Sequence, residues 1–186
     1  MREHVMLVGM MGSGKTTSGR LLARRLSRVF HDSDADIAAK TGRTVSQIFA
    51  DRGEPAFRAE EREALARALT SHAAGVIAVA GGAVLDPDSR RRMRQSGYVI
   101  WLRADPRVLA RRVAPGGTAI GHRPLLERDP ASALERLDAT RRPVYRAMAD
   151  AVVDVDWVTP DVVSERAARL ARSLLAAHPV LAAEVS

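Results

Sequence analysis

The sequence predicts an α/β fold in which a five-stranded parallel sheet carries helices on both faces. Five short apolar segments alternate with segments of helical periodicity along the 186 residues. Strands that alternate with helices in this way pair in parallel through right-handed crossovers, and their apolar character indicates that both faces of the sheet are buried. The length and a hydrophobic content of 46% suit one domain with its own core.

The first predicted strand, residues 4–8, leads into a glycine-rich loop over residues 9–17, Gly-Met-Met-Gly-Ser-Gly-Lys-Thr-Thr, and then into a helix over residues 18–26. This order gives the pattern G-x-x-x-x-G-K-[ST] its physical meaning, because the glycines let backbone amides point inward and the helix adds the positive end of its dipole. Lys15 can then reach the outer phosphates of a nucleotide, and Thr16 can place its hydroxyl on Mg²⁺. The loop therefore predicts that the protein binds a nucleoside triphosphate.

The next elements continue the alternation of strand and helix. A short strand over residues 28–31 ends at Asp32, and Ser33 or Asp34 is expected to cap a helix that stops at Gly42. Further helices are predicted over residues 44–52, 54–71, 86–95, 106–113, 131–149 and 160–177, and further strands over residues 76–80, 98–102 and 151–155.

Three interruptions stand out in this pattern. Gly53 is expected to end one helix before the next begins, and Pro143 to kink or break another, since proline lacks the N–H that a helix requires. Over residues 114–129 the periodicity gives way to Pro-Gly-Gly, His-Arg-Pro and Asp-Pro. A loop of this length within a compact domain is either functional or disordered. We interpret it as a mobile lid whose Arg123 descends on the phosphates as the loop closes.

Composition narrows the class of function. The chain has no cysteine, which excludes disulfides and thiolate metal sites, and no apolar run approaches the roughly 20 residues needed to span a bilayer. The net charge of +7 is concentrated in arginines between residues 89 and 146. No stripe of interleaved aromatic residues accompanies them, so an anionic small molecule is favoured over nucleic acid as the partner. We expect a monomeric, cytoplasmic protein with no membrane partner, one domain over residues 1–178 and a tail over residues 179–186.

Two carboxylates follow the second strand, at the edge where open α/β sheets bind ligands. Asp32 and Asp34 are expected to lie on one side of the chain there. One carboxylate could hold Mg²⁺ while the other faces an acceptor hydroxyl. Alternatively, the pair only caps the following helix.

Basic and glycine residues form a second set of candidates. Arg58 lies at a helix start, where it is either solvated or forms a bidentate site for an anion, and Glu61 could pair with it at i, i+3. Gly81 and Gly82 directly follow a strand, either as bare backbone at the ligand edge or as a plain turn. The further candidates for binding anions are Arg111, Arg112, Arg123 and Arg141.

With these residues, the chain resembles the shikimate kinase family across roughly residues 3–175. The resemblance implies a fold like that of nucleoside monophosphate kinases, a P-loop kinase with a five-stranded parallel sheet. It also implies ATP-dependent phosphorylation of the 3-hydroxyl of shikimate, in aromatic amino-acid biosynthesis. The segments that carry it are Gly9-Met-Met-Gly-Ser-Gly-Lys-Thr-Thr17, Asp32-Ser-Asp34, Gly53-Glu-Pro-Ala-Phe-Arg58, Gly81-Gly-Ala83, Arg123-Pro-Leu-Leu126 and Arg141-Arg-Pro-Val-Tyr145.

The resemblance implies roles at the nucleotide end of the site. Lys15 would bind the β- and γ-phosphates of ATP, and Thr16 with Asp32 would hold Mg²⁺. Arg123 would be the catalytic lid arginine on ATP, and Arg112 would lie near the adenine. The nucleotide-binding positions of the loop would be Gly12, Ser13, Gly14, Lys15, Thr16 and Thr17.

It also implies roles at the acceptor end. Asp34 would bind the reacting hydroxyls and act as the catalytic base. Arg58 and Arg141 would grip the carboxylate of shikimate, helped by the backbone of Gly81 and Gly82.

One departure from the family pattern concerns the acceptor. The family usually has three glycines where this chain has Ala80, Gly81 and Gly82. A kinase for a related polyol or cyclitol acid, such as a gluconate-like acid, therefore stays open as an alternative. A nucleoside monophosphate kinase is a further alternative. A GTPase switch is excluded, because its Asn-Lys-x-Asp motif needs a lysine and none follows Lys40.

Overall fold

The computed structural model describes residues 3–114 and 129–177, and within these ranges five parallel strands form one sheet in the order β2-β3-β1-β4-β5. The strands are β1 (His4–Val8), β2 (Val29–Asp32), β3 (Gly75–Ala78), β4 (Gly97–Arg103) and β5 (Ala151–Asp154). The helices are α1 (Lys15–Arg25), α2 (Ser33–Thr41), α3 (Val45–Leu69), α4 (Pro87–Ser96), α5 (Pro106–Val113), α6 (Pro130–Met148) and α7 (Pro160–Ala177), with a short 3₁₀ helix over Ala83–Leu85.

The order of the strands opens a crevice at one edge of the sheet. Because all pairs are parallel, the carboxyl ends of the five strands lie along the same edge. The chain leaves β1 toward β2 but leaves β3 toward β4, so the segments after these neighbouring strands diverge. Such a switch point is where open α/β sheets bind ligands.

Helices cover both faces of the sheet. A Cβ at Gly19 of α1 would lie 2.6 Å from the Phe30 ring and 3.3 Å from Leu7, so α1 packs closely on that face. Leu7 pairs with Ile100, and the next residue, Trp101, points to the opposite face, since side chains alternate along a strand. The centroid of the Trp101 ring lies 5.9 Å from that of Tyr145 on α6. The fold predicted from the sequence is therefore confirmed.

A separate apolar cluster joins α2 to α3. Ile37 of α2 packs with Ile48, Phe57 and Ala64 of α3, and all four are buried. This packing places the N-terminus of α2, which follows β2, opposite the middle of α3. Both segments carry candidate residues for the acceptor.

The structure corrects the prediction for the start of α2. Its N-cap is Asp32, not Ser33 or Asp34. The Asp32 carboxylate accepts hydrogen bonds from the backbone N–H groups of Asp34 at 3.1 Å and Ala35 at 3.3 Å.

Two expected helix interruptions have different outcomes. Gly53 does interrupt α3, with φ 75° and ψ 175° between two helical stretches. By contrast, α6 is continuous across Pro143, so the expected break is absent. Pro143 is exposed, and water can therefore solvate the carbonyl that its missing N–H leaves without a partner. The predicted lid and tail lie almost entirely outside the described residues. Of the described helices, none has the length and apolar character that a membrane crossing requires.

Candidate active site

The glycine loop after β1 is held in conformations that side chains disfavour. Gly9, Gly12 and Gly14 have φ values of 149°, 80° and 86°. A Cβ at Gly9 would also lie 2.6 Å from the carbonyl oxygen of Leu102, on the neighbouring strand β4. Glycine is therefore required at this position both for backbone conformation and for space.

The first turn of α1 has the properties of an anion site. Its N-cap, Gly14, has no side chain to accept hydrogen bonds from the first N–H groups, and the first turn contains no acidic residue. The Lys15 Nζ donates to the carbonyl oxygens of Gly9 at 2.8 Å and Met10 at 3.1 Å, so its charge lies over the loop. Backbone N–H groups, the helix dipole and an ammonium thus converge where a polyphosphate would bind.

Thr16 and Asp32 meet at the end of this loop. The Thr16 hydroxyl donates to Oδ2 of Asp32 at 2.6 Å, while Oδ1 of Asp32 caps α2. Asp32 therefore caps a helix and also lies at the site, so these two interpretations are compatible. Hydroxyl and carboxylate oxygens suit Mg²⁺, which usually keeps several waters and binds through substrate phosphates. Accordingly, the described residues contain no cluster of three or more His, Cys, Asp or Glu side chains around a possible metal position.

At the other end of the crevice, Arg58 is held by two carboxylates. Its Nη1 lies 2.6 Å from Oε2 of Glu61, and its Nη2 lies 2.7 Å from Oε1 of Glu54. Glu61 is 2% exposed. Burial raises the pKa of Glu61, an effect that the positive charge of Arg58 opposes. The predicted i, i+3 pairing of Arg58 and Glu61 is confirmed, and it fixes the Arg58 guanidinium at the cavity.

The backbone of Gly81 and Gly82 lies directly against two guanidinium groups. A Cβ at Gly82 would lie 1.9 Å from Nη1 of Arg58, and one at Gly81 would lie 2.8 Å from Nη1 of Arg141. Arg141 is 2% exposed, and its buried Nε has no hydrogen-bond partner in the structure. A buried N–H of a charged group without a partner costs free energy. Because Arg141 also lines the cavity, its positive charge suits an anionic ligand there.

One cavity of about 800 Å³ joins the two ends. Arg112 borders it at the phosphate loop, where it donates to the carbonyl oxygen of Gly12 at 3.4 Å and to those of Val155 and Asp156 at 2.5 and 2.8 Å. Asp34 also borders it, as do the phosphate loop, Arg58 and Arg141. The volume is within the range of sites that enclose small ligands.

Comparison with known proteins identifies the family that has this arrangement. The family model for shikimate kinase matches residues 11–172. The chain belongs to the shikimate kinase family. The shikimate kinase of Symbiobacterium thermophilum is 47% identical over 167 residues, covering 87% of this chain and 92% of the relative. That of Dechloromonas aromatica is 43% identical over 154 residues, covering 82% of this chain and 81% of the relative.

Solved structures agree with this assignment. A shikimate kinase from Acinetobacter baumannii in complex with shikimate has a TM-score of 0.85 and 33% identity, covering 93% of this chain and 94% of that chain. A gluconokinase from Sinorhizobium meliloti has a TM-score of 0.62 and 21% identity, covering 96% of this chain and all of that one. The second likeness shows a shared fold only.

Most residues predicted from the sequence come together in the cavity. Arg123 lies outside the described residues. The guanidinium of Arg111 lies 5.4 Å from the ring of Trp157, which is 79% exposed, and Arg111 does not border the cavity. The predicted residues that do border it are Gly12, Ser13, Gly14, Lys15, Thr16, Thr17, Asp32, Asp34, Arg58, Gly81, Gly82, Arg112 and Arg141.

Sequence reasoning did not assign Glu61 to the site. A signal was present, because Glu61 lies at helical spacing from the buried Phe57 and Leu65 of α3. A carboxylate on an apolar helix face needs a buried partner, and Arg58 is that partner.

The raised pKa of Glu61 gives a test of its burial. A carboxyl group whose pKa is raised on folding adds to the free energy of unfolding at pH values below its pKa in the unfolded chain, which is about 4.5 for Glu61. This contribution is lost as the pH rises through the pKa in the folded protein. Glu61→Gln removes the titration. We therefore expect the free energy of unfolding of the wild type, relative to this variant, to fall between pH 4 and pH 8 in urea denaturation.

Glu63 on the same helix provides a control of opposite sign. It is exposed, and a hydrogen bond from Lys40 lowers its pKa. Its contribution to the free energy of unfolding is present above its pKa in the unfolded chain and is lost as pH falls. The free energy of unfolding of the wild type, relative to Glu63→Gln, should therefore rise with pH. Parallel pH curves for the wild type and Glu61→Gln would contradict the assignment.

Proposed function

We propose that the protein transfers the γ-phosphoryl group of ATP to the 3-hydroxyl of shikimate, with Mg²⁺. The observation that carries the proposal is the placing of Arg58 and Arg141 against the Gly81–Gly82 backbone, in the same cavity as the phosphate loop. Shikimate is a small acid with several hydroxyls, so it offers a carboxylate to the arginines and an alcohol to the phosphate. Membership of the shikimate kinase family supports the choice of acceptor.

The nucleotide end binds by backbone and charge. The amides of residues 12–17 and the ammonium of Lys15 would surround the β- and γ-phosphates, and Arg112 would border the adenine. Thr16 and Asp32 would hold Mg²⁺. Bound there, the metal would neutralise charge on the phosphates during transfer.

Asp34 would receive the proton. It lies at the first turn of α2 and borders the cavity that holds both ends. The acceptor oxygen forms a bond to the γ-phosphorus while the bond from phosphorus to the β,γ-bridging oxygen breaks and ADP leaves. The hydroxyl proton passes to the Asp34 carboxylate. An alcohol needs this base, whereas the phosphate acceptor of a nucleoside monophosphate kinase is already an anion.

The acceptor end provides orientation. Arg58, fixed by Glu61, and Arg141 would bind the carboxylate of the substrate, and this would direct the ring hydroxyls toward Asp34. Ala80, the departure from the family's third glycine, is 6% exposed and borders the same cavity. Its methyl group is therefore part of the surface that selects the acceptor. We further propose a monomer that acts in the cytoplasm, where ATP is available.

The direct test is an ADP-release assay with ATP, Mg²⁺ and a panel of shikimate, quinate, gluconate and nucleoside monophosphates. We expect turnover with shikimate to exceed turnover with every other acceptor. Activity restricted to gluconate or to a nucleotide would overturn the proposal.

Asp34→Asn tests the base. The amide cannot accept the proton, so turnover should fall at least about a hundredfold, the scale of general-base effects. Asp36→Asn is the matched control, because Asp36 lies on the same helix but pairs with His31 at 3.9 Å. Turnover of Asp34→Asn within a few-fold of the wild type would remove this role.

Gly82→Ala tests the contact between backbone and guanidinium. The new Cβ would displace the flexible end of Arg58, whereas φ of −88° at Gly82 is ordinary for alanine. The KM for shikimate should rise about tenfold or more while the KM for ATP stays within about twofold, a change that costs about 1.4 kcal/mol in acceptor binding.

A second alanine variant is its control. Gly42 has φ of 64° at the end of α2, and a Cβ there would meet nothing within 4 Å. Gly42→Ala should lower the melting temperature through backbone strain and leave both KM values near those of the wild type. Equal rises in both KM values for Gly82→Ala would indicate general damage instead.

A further inference from the structure

Tyr145 is a buried residue that the steps above do not use. It lies on α6, one turn after Arg141, and is fully buried. Its ring packs against Trp101, with 5.9 Å between centroids. Packing alone would be satisfied by phenylalanine, so the hydroxyl group needs a separate explanation.

The hydroxyl connects two parts of the acceptor end. It donates to the carbonyl oxygen of Gly81 at 3.3 Å. The guanidinium of Arg141 hydrogen-bonds the same phenol oxygen. Burial raises the pKa of Tyr145 to about 12, against the opposing effect of Arg141. The phenol therefore keeps its proton at neutral pH and remains the donor to Gly81.

The planar trans peptide extends this effect into the cavity. In a trans peptide the carbonyl of one residue and the N–H of the next point in opposite directions. A hydrogen bond that holds the Gly81 carbonyl toward Tyr145 therefore directs the Gly82 N–H away from α6. Gly81 and Gly82 both border the cavity, and neither has a side chain that could restrict this peptide.

We propose that Tyr145 is a positioning residue for the acceptor: its hydroxyl orients both the Arg141 guanidinium and the Gly81–Gly82 peptide toward the carboxylate of the substrate. The proposal rests on the proposed function, since it assumes an acidic acceptor at Arg141. Tyr145 itself does not border the cavity, so it would act on the substrate only through these two groups.

Tyr145→Phe removes the hydroxyl and keeps the ring. We expect the KM for shikimate to rise about tenfold, with turnover and the KM for ATP within about twofold of the wild type. The other tyrosine of the chain gives the control. Tyr98 is also buried but lies near the start of β4, away from the carboxyl edge of the sheet. Tyr98→Phe should leave both KM values unchanged.

A modified acceptor separates positioning from packing. Shikimamide has a neutral carboxamide in place of the carboxylate, so it lacks the charge that Arg141 would bind. Calorimetric binding with Tyr145→Phe and the wild type should show the tenfold penalty for shikimate and less than about twofold for the amide. Equal penalties for the two compounds would overturn the proposal. A loss of folding, or parallel rises in the KM values for ATP and shikimate, would also overturn it.

Failure of the proposed function would look different. The wild type would then release no ADP with shikimate. That result would overturn the role of Tyr145 together with the proposed function. A normal wild type with an unaffected Tyr145→Phe variant would refute the role of Tyr145 alone.

Discussion

The acceptor end of the cavity depends on the close approach of charged side chains to bare backbone. Arg58 comes from α3 and Arg141 from α6, and both reach the segment after β3, where any Cβ at Gly81 or Gly82 would meet a guanidinium nitrogen. Neither arginine could occupy its place beside a residue with a side chain. The packing of α3 and α6 around this segment therefore sets the site as much as the arginines themselves do.

The sequence predicted the fold and the phosphate loop because their signals are local. Strand, glycine loop and helix follow each other within the first quarter of the chain, and each pattern is set by neighbouring residues. The sequence predicts the acceptor end less well. Arg58 is equally compatible with a solvated surface position, and Gly81 and Gly82 are equally compatible with a plain turn. Their meaning comes from contacts between Gly82 and Arg58 and between Gly81 and Arg141, which link distant parts of the chain.

Some side chains take part in two interactions, and their neighbours in sequence show only one of them. Asp32 suits a metal site and a helix cap at once, and the structure gives one carboxylate oxygen to Thr16 and the other to the start of α2. Glu61 pairs with Arg58 at i, i+3, and its helical spacing from Phe57 and Leu65 indicates burial. Periodicity along α3 does not show that the pair faces a cavity, which only the fold reveals.

The balance of charge at the acceptor end favours an acid over a neutral polyol. Arg58 already has Glu61 and Glu54 as partners, whereas the Nε of the buried Arg141 has none. A carboxylate bound there would supply an acceptor and a compensating charge, and its own loss of water would be repaid by two guanidinium groups. A neutral hydroxyl would supply only an acceptor and no charge of opposite sign. The packing of α6 on β4, seen in the contact between Tyr145 and Trp101, keeps Arg141 buried, and this burial is what makes an acidic acceptor the better partner in the proposed function.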